Sequence, residues 1–138
     1  AAGAVFIEDA AGAIGARYKG RPVGGFGDLA VFSFNGNKTV TAGGGGMVVT
    51  DIGEYAERAR HLSTQARLGT DYFHDAVGYN YRMTNLNAAV GLAQLERLDT
   101  MLVAKRDIAQ AYDTALTGRS DVLPMPRAPW ATSNHWLY

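Results

Sequence analysis

The chain has 138 residues, 47% of them apolar, no cysteine and a formal net charge of zero. Size and composition suit one globular domain and exclude a disordered chain, while the balanced charge gives no footprint for nucleic acid or an acidic membrane. The lack of cysteine rules out disulfides, thiolate catalysis and Cys-ligated metal sites, and no apolar run approaches the roughly 18 residues of a membrane span.

In chain order, Ala4 to Ile7 is a short apolar run that ends at the acidic pair Glu8-Asp9. Acids at the carboxyl end of a buried strand lie on the sheet edge where open α/β folds place their ligands. Ala10 to Ala16, with two glycines, predicts a short or irregular helix. Arg17 to Gly27 is punctuated by Gly20, Pro22, Gly24, Gly25 and Gly27 and reads as a loop with several turns. Leu29 to Phe34 is rich in Val and Phe, as a buried strand requires. It passes through Ser33, Asn35, Gly36 and Asn37 to a single lysine, Lys38, and then to four glycines, Gly43 to Gly46, and a second strand-like run, Met47 to Thr50. A glycine tetrad costs backbone entropy and gains no packing, so it marks a close approach or a positive φ. Lys38, beside that loop and between two strands, is placed to be desolvated, which makes a lysine amine a usable nucleophile or base. The alternative is a solvated loop lysine.

Asp51 is read as the N-cap of a helix, with Glu54 three residues on, running to about His61 or Leu62. From Ser63 to Asn80 periodicity is weak and Tyr72, Phe73, His74 and Tyr79 gather, the mark of a functional loop or an interface. Thr84 is read as the N-cap of the longest helix. Its apolar residues Leu86, Val90, Ala93, Leu98, Met101, Leu102, Ile108 and Tyr112 carry it to near Leu116, with Gly118 as the stop. Pro124, Pro126 and Pro129 mark a connector, and His135 to Tyr138 reads like part of a strand.

Several chemistries fail on spacing. A phosphate-binding P-loop needs glycine before the lysine and another five residues earlier, but Asn37 and Phe32 hold those positions. No Gly-x-Gly-x-x-Gly fingerprint joins a strand to a helix. His61, His74 and His135 are scattered and lack metal-ligand spacing. Ser33, His74 and Asp9 could be written as a hydrolytic triad, but the Gly-x-Ser-x-Gly elbow is missing. What remains is an acid at one strand end, a hydroxyl at another and a lysine just beyond. An enzyme that holds pyridoxal phosphate as a Schiff base needs those parts: an amine for the carbonyl, a carboxylate for the pyridine nitrogen, and hydroxyl or amide groups for the phosphate.

Glu8-Asp-Ala-Ala11, Arg17-Tyr-Lys-Gly20, Gly27-Asp28, Phe32-Ser-Phe-Asn-Gly-Asn-Lys38, Gly43-Gly-Gly-Gly46 and Gly78-Tyr-Asn-Tyr-Arg-Met83, in that order, resemble the motifs of the DegT/DnrJ/EryC1/StrS sugar aminotransferases. His61-Leu-Ser-Thr-Gln-Ala66 and Tyr72-Phe-His-Asp75 resemble the branch that aminates nucleotide-linked 4-keto-6-deoxy sugars. The resemblance implies an α/β fold: part of the large domain of a type I, aspartate aminotransferase-like transferase, three layers αβα with a mostly parallel sheet. Residues 1–118 would be the C-terminal portion of that domain, and 119–138 the connector and start of a small C-terminal domain. It also implies pyridoxal 5'-phosphate as cofactor, a nucleotide-linked keto sugar and glutamate as substrates, and a cytoplasmic homodimer with active sites shared between subunits. Neither nucleic acid nor membrane is implied as a partner.

Residue by residue, Lys38 matches the lysine of the internal aldimine, Asp9 the partner of the pyridine nitrogen, and Ser33 a phosphate-binding serine. Asn80 matches an asparagine that reaches the phosphate of the neighbouring subunit's cofactor, and Ala11 falls among the cofactor-binding positions. Gly12 departs from the family, which more often has Gln or His there. A related subset of sugar dehydratases carries histidine in place of the lysine, and Lys38 argues against it. The chain opens without Met and its ends read as cut, so a fragment lacking one phosphate loop and most of the small domain is expected. The rival expectation is a non-catalytic relative that only dimerises or binds.

Overall fold

The computed structural model describes residues 3–138. In chain order they form β1 (Ile7–Asp9), β2 (Arg17–Tyr18), β3 (Arg21–Pro22), β4 (Leu29–Ser33), β5 (Gly46–Val49), α1 (Gly53–Ser63), α2 (Asn85–Leu95), α3 (Leu98–Leu116) and β6 (Ala131–Thr132). Two sheets result, β1-β4-β5 and β3-β2-β6. In the first, β1 and β4 run parallel with Ile7 opposite Leu29 and Asp9 opposite Val31, while β4 and β5 are antiparallel with Ser33 opposite Gly46. None of the described helices is long and apolar enough to cross a membrane.

The central strand, Leu-Ala-Val-Phe-Ser, leads into the core rather than lying over it. Phe34, Val40 and Ala42 form the buried cluster just past its carboxyl end, with Ile14, Phe32, Met83 and Leu98 packed around them. The chain between Phe34 and Ala42 is closed at its base. Ala42 N donates to the Phe34 carbonyl at 2.9 Å, Thr41 Oγ1 donates to the same oxygen at 3.3 Å, and Phe34 N donates to Gly45 O at 2.9 Å. The glycine tetrad serves both purposes expected of it: Gly43 and Gly45 take positive φ, and a Cβ on Gly46 would lie 2.5 Å from the Phe32 carbonyl oxygen.

Three local readings are corrected. Ala10 to Ala16 is a pair of turns, Ala13 N to Ala10 O and Ala16 N to Ala13 O, each 2.9 Å, and not a helix. The carbonyls of Gly12 and Ile14, which a helix would use, instead accept from Asn134 Nδ2 at 2.8 and 2.9 Å. Asp51 does not cap α1; the N-cap is Ile52, whose N–H donates at 3.1 Å to Thr50 Oγ1. Thr84 caps as expected, accepting from Asn87 N, but the long helix is two, broken at Glu96 and Arg97. The break brings Leu98 onto the core without any glycine or proline, which is why the apolar spacing alone did not mark it.

The fit of Gly46 gives a stability test. Gly46→Ala puts its methyl into backbone and should cost about 1–3 kcal/mol, an overpacking penalty, whereas Gly44→Ala meets nothing within 4 Å. Denaturant midpoints of the two variants should separate accordingly.

Candidate active site

The alternation of a strand divides the acidic pair between the two faces of the sheet. Glu8 belongs to the face of Ala30 and Phe32, and its carboxylate accepts from Gly24 N at 2.6 Å and Phe26 N at 3.1 Å. It holds down the loop that covers that face. Asp9 belongs to the other face, with Val31 opposite and Ser33 one pleat further along the neighbouring strand. That face is open: Asp9, Ile7 and Val48 are exposed, and Val31 and Ser33 are half-buried. Asp9 and Ser33 therefore project from the carboxyl ends of two adjacent parallel strands on one side of the sheet.

Each polar group there is partly engaged and partly free. Ala11 N donates to Asp9 Oδ1 at 3.1 Å, orienting the carboxylate while leaving Oδ2 open among the described residues. Ser33 Oγ accepts from Asn35 N at 3.4 Å, so its own proton stays available to a ligand. Lys38 lies five residues past Ser33 in a turn closed by its N–H to Asn35 O at 3.0 Å. It is half-buried, and the next two residues, Thr39 and Val40, are buried. Its ammonium faces the ring of Trp136, with Nζ 3.5 Å from the ring centroid.

Asp9, Ala11, Ser33 and Lys38 are thus gathered at one end of the sheet. Asn80 is not with them. It lies exposed in a separate cleft of about 300 Å³ whose walls include the glycine tetrad, Tyr81 to Thr84 and Asn87. His74, written earlier into a triad, instead places Nδ1 2.7 Å from Gln65 O, and His61 Nε2 lies 2.6 Å from Asp75 Oδ1. That hydrogen bond from His61 holds the Asp75 carboxyl below its ordinary range. Both histidines serve the stretch between 61 and 80, which folds back on itself through Gln65 N to Tyr79 O and Tyr79 N to Leu62 O, while Tyr72 and Phe73 stay exposed. The residue missed by sequence reasoning is Trp136, which came from a segment read only as strand-like.

A model of the DegT/DnrJ/EryC1/StrS aminotransferase family matches residues 1–138. The GDP-perosamine synthase of Vibrio cholerae is 52% identical over 124 residues, covering 89% of this chain and 33% of that protein. That of Caulobacter vibrioides is 44% identical over 138 residues, covering 96% and 36%. Among solved structures, the aminotransferase TlmJ from Streptoalloteichus hindustanus aligns with a TM-score of 0.89 at 32% identity, over 97% of this chain and 37% of that one. A Streptococcus pneumoniae protein assigned as a sugar aminotransferase, solved in its PLP form, aligns with a TM-score of 0.87 at 30% identity, over 97% and 36%. The chain spans about a third of the length of the curated relatives it matches.

The unequal roles of the two acids can be separated. Glu8→Ala strands the Gly24 and Phe26 N–H groups and should lower stability by about 1–3 kcal/mol, the cost of unpaired donors. Asp9→Ala, on the open face, should leave the unfolding free energy within about 0.5 kcal/mol of the parent, as exposed substitutions usually do. Urea titration of both variants checks this.

Proposed function

The chain belongs to the DegT/DnrJ/EryC1/StrS aminotransferase family, and from that premise we propose that its protein transaminates a nucleotide-linked keto-deoxysugar with pyridoxal 5'-phosphate. The observation that carries the proposal is the grouping of Asp9, Ser33 and Lys38 at one sheet end. The finer reading is amination at C4 with glutamate as donor. Its supports are the likeness to GDP-perosamine synthases and the 61–66 and 72–75 motifs.

The donor set fits the cofactor. An oriented carboxylate with one open oxygen suits a protonated pyridine nitrogen, a hydroxyl with a free proton suits a phosphate oxygen, and a half-buried amine suits an aldehyde carbon. When bound, pyridoxal phosphate supplies the electron sink for deprotonation next to nitrogen. The chain's own residues do the rest. Asp9 keeps the pyridine nitrogen charged. Ser33 anchors the phosphate end, with Ala11 fixing Asp9 through its N–H. Lys38 would tether the cofactor through its amine, and that amine, when free, would take the proton from the donor carbon and return it as general base and acid. In the second half-reaction it performs the same transfers toward the sugar.

Asn80, in its separate cleft, has a place in this scheme if the protein is a homodimer whose sites are shared, with the exposed aromatic stretch around Tyr72 and Phe73 turned toward the partner or the nucleotide.

The deciding experiment is to mix the protein with pyridoxal phosphate, reduce with borohydride and map the modified peptide. Label on Lys38 is the expected result; label elsewhere, or none, overturns the reading. Lys38→Ala should lower transamination of a GDP-linked keto sugar by roughly 10²–10⁴-fold, the usual range for losing a general acid–base group.

A further inference from the structure

Gly12 and Trp136 are 124 positions apart in the sequence and occupy one space. A Cβ on Gly12 would lie 2.5 Å from Trp136 Cε3 and 2.6 Å from Cζ3, so the indole fills the volume in which a side chain at 12 would begin. The ring is fixed from several sides. Its Nε1 donates to Asn37 O at 2.6 Å, and its backbone N–H donates to Asn134 Oδ1 at 3.1 Å. Asn134 is buried and, through Nδ2, also holds the Gly12 and Ile14 carbonyls. At the backbone of the same residue, Lys105 Nζ of α3 lies 3.5 Å from the Trp136 carbonyl oxygen. Over this ring sits Lys38, Nζ 3.5 Å from the centroid, and among the described residues no carboxylate pairs with it.

From this geometry we infer that Trp136 is a positioning residue for Lys38, seated there because residue 12 is glycine. The inference rests on the reading of Lys38 as the reactive amine. A lysine that must bond to carbon, leave, and then carry protons needs to be held without being captured. A carboxylate would hold its N–H groups through directed, charge-assisted hydrogen bonds. An indole face attracts the ammonium through its quadrupole but takes no lone pair and leaves the N–H groups free to turn. The Nε1–Asn37 bond ties the ring to the residue just before Lys38, so platform and amine are registered to the same stretch of backbone. A longer side chain at 12 would displace the ring, and Lys38 would lose its platform.

The test uses the protein without cofactor, so that its failure is separate from failure of the pyridoxal phosphate labelling. Lys38 is modified with trinitrobenzenesulfonate and its rate followed by peptide mapping. Trp136→Leu, which keeps apolar bulk but removes the ring, should raise the Lys38 rate about three- to tenfold, the factor a partly exposed cation–π contact is worth. Trp136→Phe should return it to within about twofold of the parent. Gly12→Gln should mimic Trp136→Leu, and the double variant Gly12→Gln with Trp136→Leu should be no faster than either alone, because both remove one interaction. Unchanged rates, a Phe variant as fast as the Leu variant, or multiplicative effects in the double variant would each overturn the inference. A second readout needs no change at the ring. In a Trp130→Phe background, where Trp136 is the single tryptophan of these 138 residues, Lys38→Met should shift its emission maximum, and an unchanged spectrum counts against the contact.

Discussion

The site depends on one closed loop. Phe34 is the hinge: its N–H goes to Gly45, its carbonyl takes both the Ala42 N–H and the Thr41 hydroxyl, and its ring is buried with Val40 and Ala42. Both feet of the loop are therefore in the core while its tip, Asn35 to Lys38, is at the surface. An otherwise flexible lysine is thus carried on a rigid base, which on the reading proposed for Lys38 reduces the entropy of bringing reactants together. The glycine tetrad follows from the same closure, since the returning chain must turn through positive φ and pass against the Phe32 carbonyl before pairing with β4.

The second constraint is the period of a strand. Two adjacent acids at the end of β1 cannot do the same work, because one must face the covered side and the other the open side. Glu8 ties Gly24 and Phe26 over the covered face; Asp9, held by Ala11, faces the side where a ligand has room. The small sheet β3-β2-β6 belongs to this arrangement as well. By pairing β6 with β2 it returns the end of the chain to the turns at 10–16, where Asn134 and Trp136 complete the floor beneath Lys38.

Much of this was legible in the residues, and the limits have physical causes. Strand β4, the lysine loop, the two functions of the tetrad and the Thr84 cap follow from local composition and spacing, so a linear reading reaches them. The turns at 10–16 do not. Their carbonyls are claimed by Asn134, more than a hundred residues away, and no local propensity reports that competition. Beside the α1 cap, which falls at Ile52 and not Asp51, the distant constraint is Thr50, whose hydroxyl donates to the Asp28 carbonyl at 2.5 Å and accepts from Ile52 N. Asp9 and Ser33 lie near each other because of the parallel register of β1 and β4, with Lys38 five residues on in the loop that follows, whereas the separate cleft of Asn80 depends on how the 63–80 stretch folds back.

Gly12 shows what a missing side chain can mean. In the sequence it stands out only as a departure from the pattern of the family it resembles. In the structure the space beside residue 12 is already filled, by the indole whose face lies against the Lys38 ammonium. The two observations are one constraint seen from both sides, since a Gln or His at 12 and an indole at this depth cannot share the space. On the inference drawn for Trp136, glycine at this position is an exchange, in which the room for a longer side chain is given to an aromatic surface reaching toward the Lys38 amine.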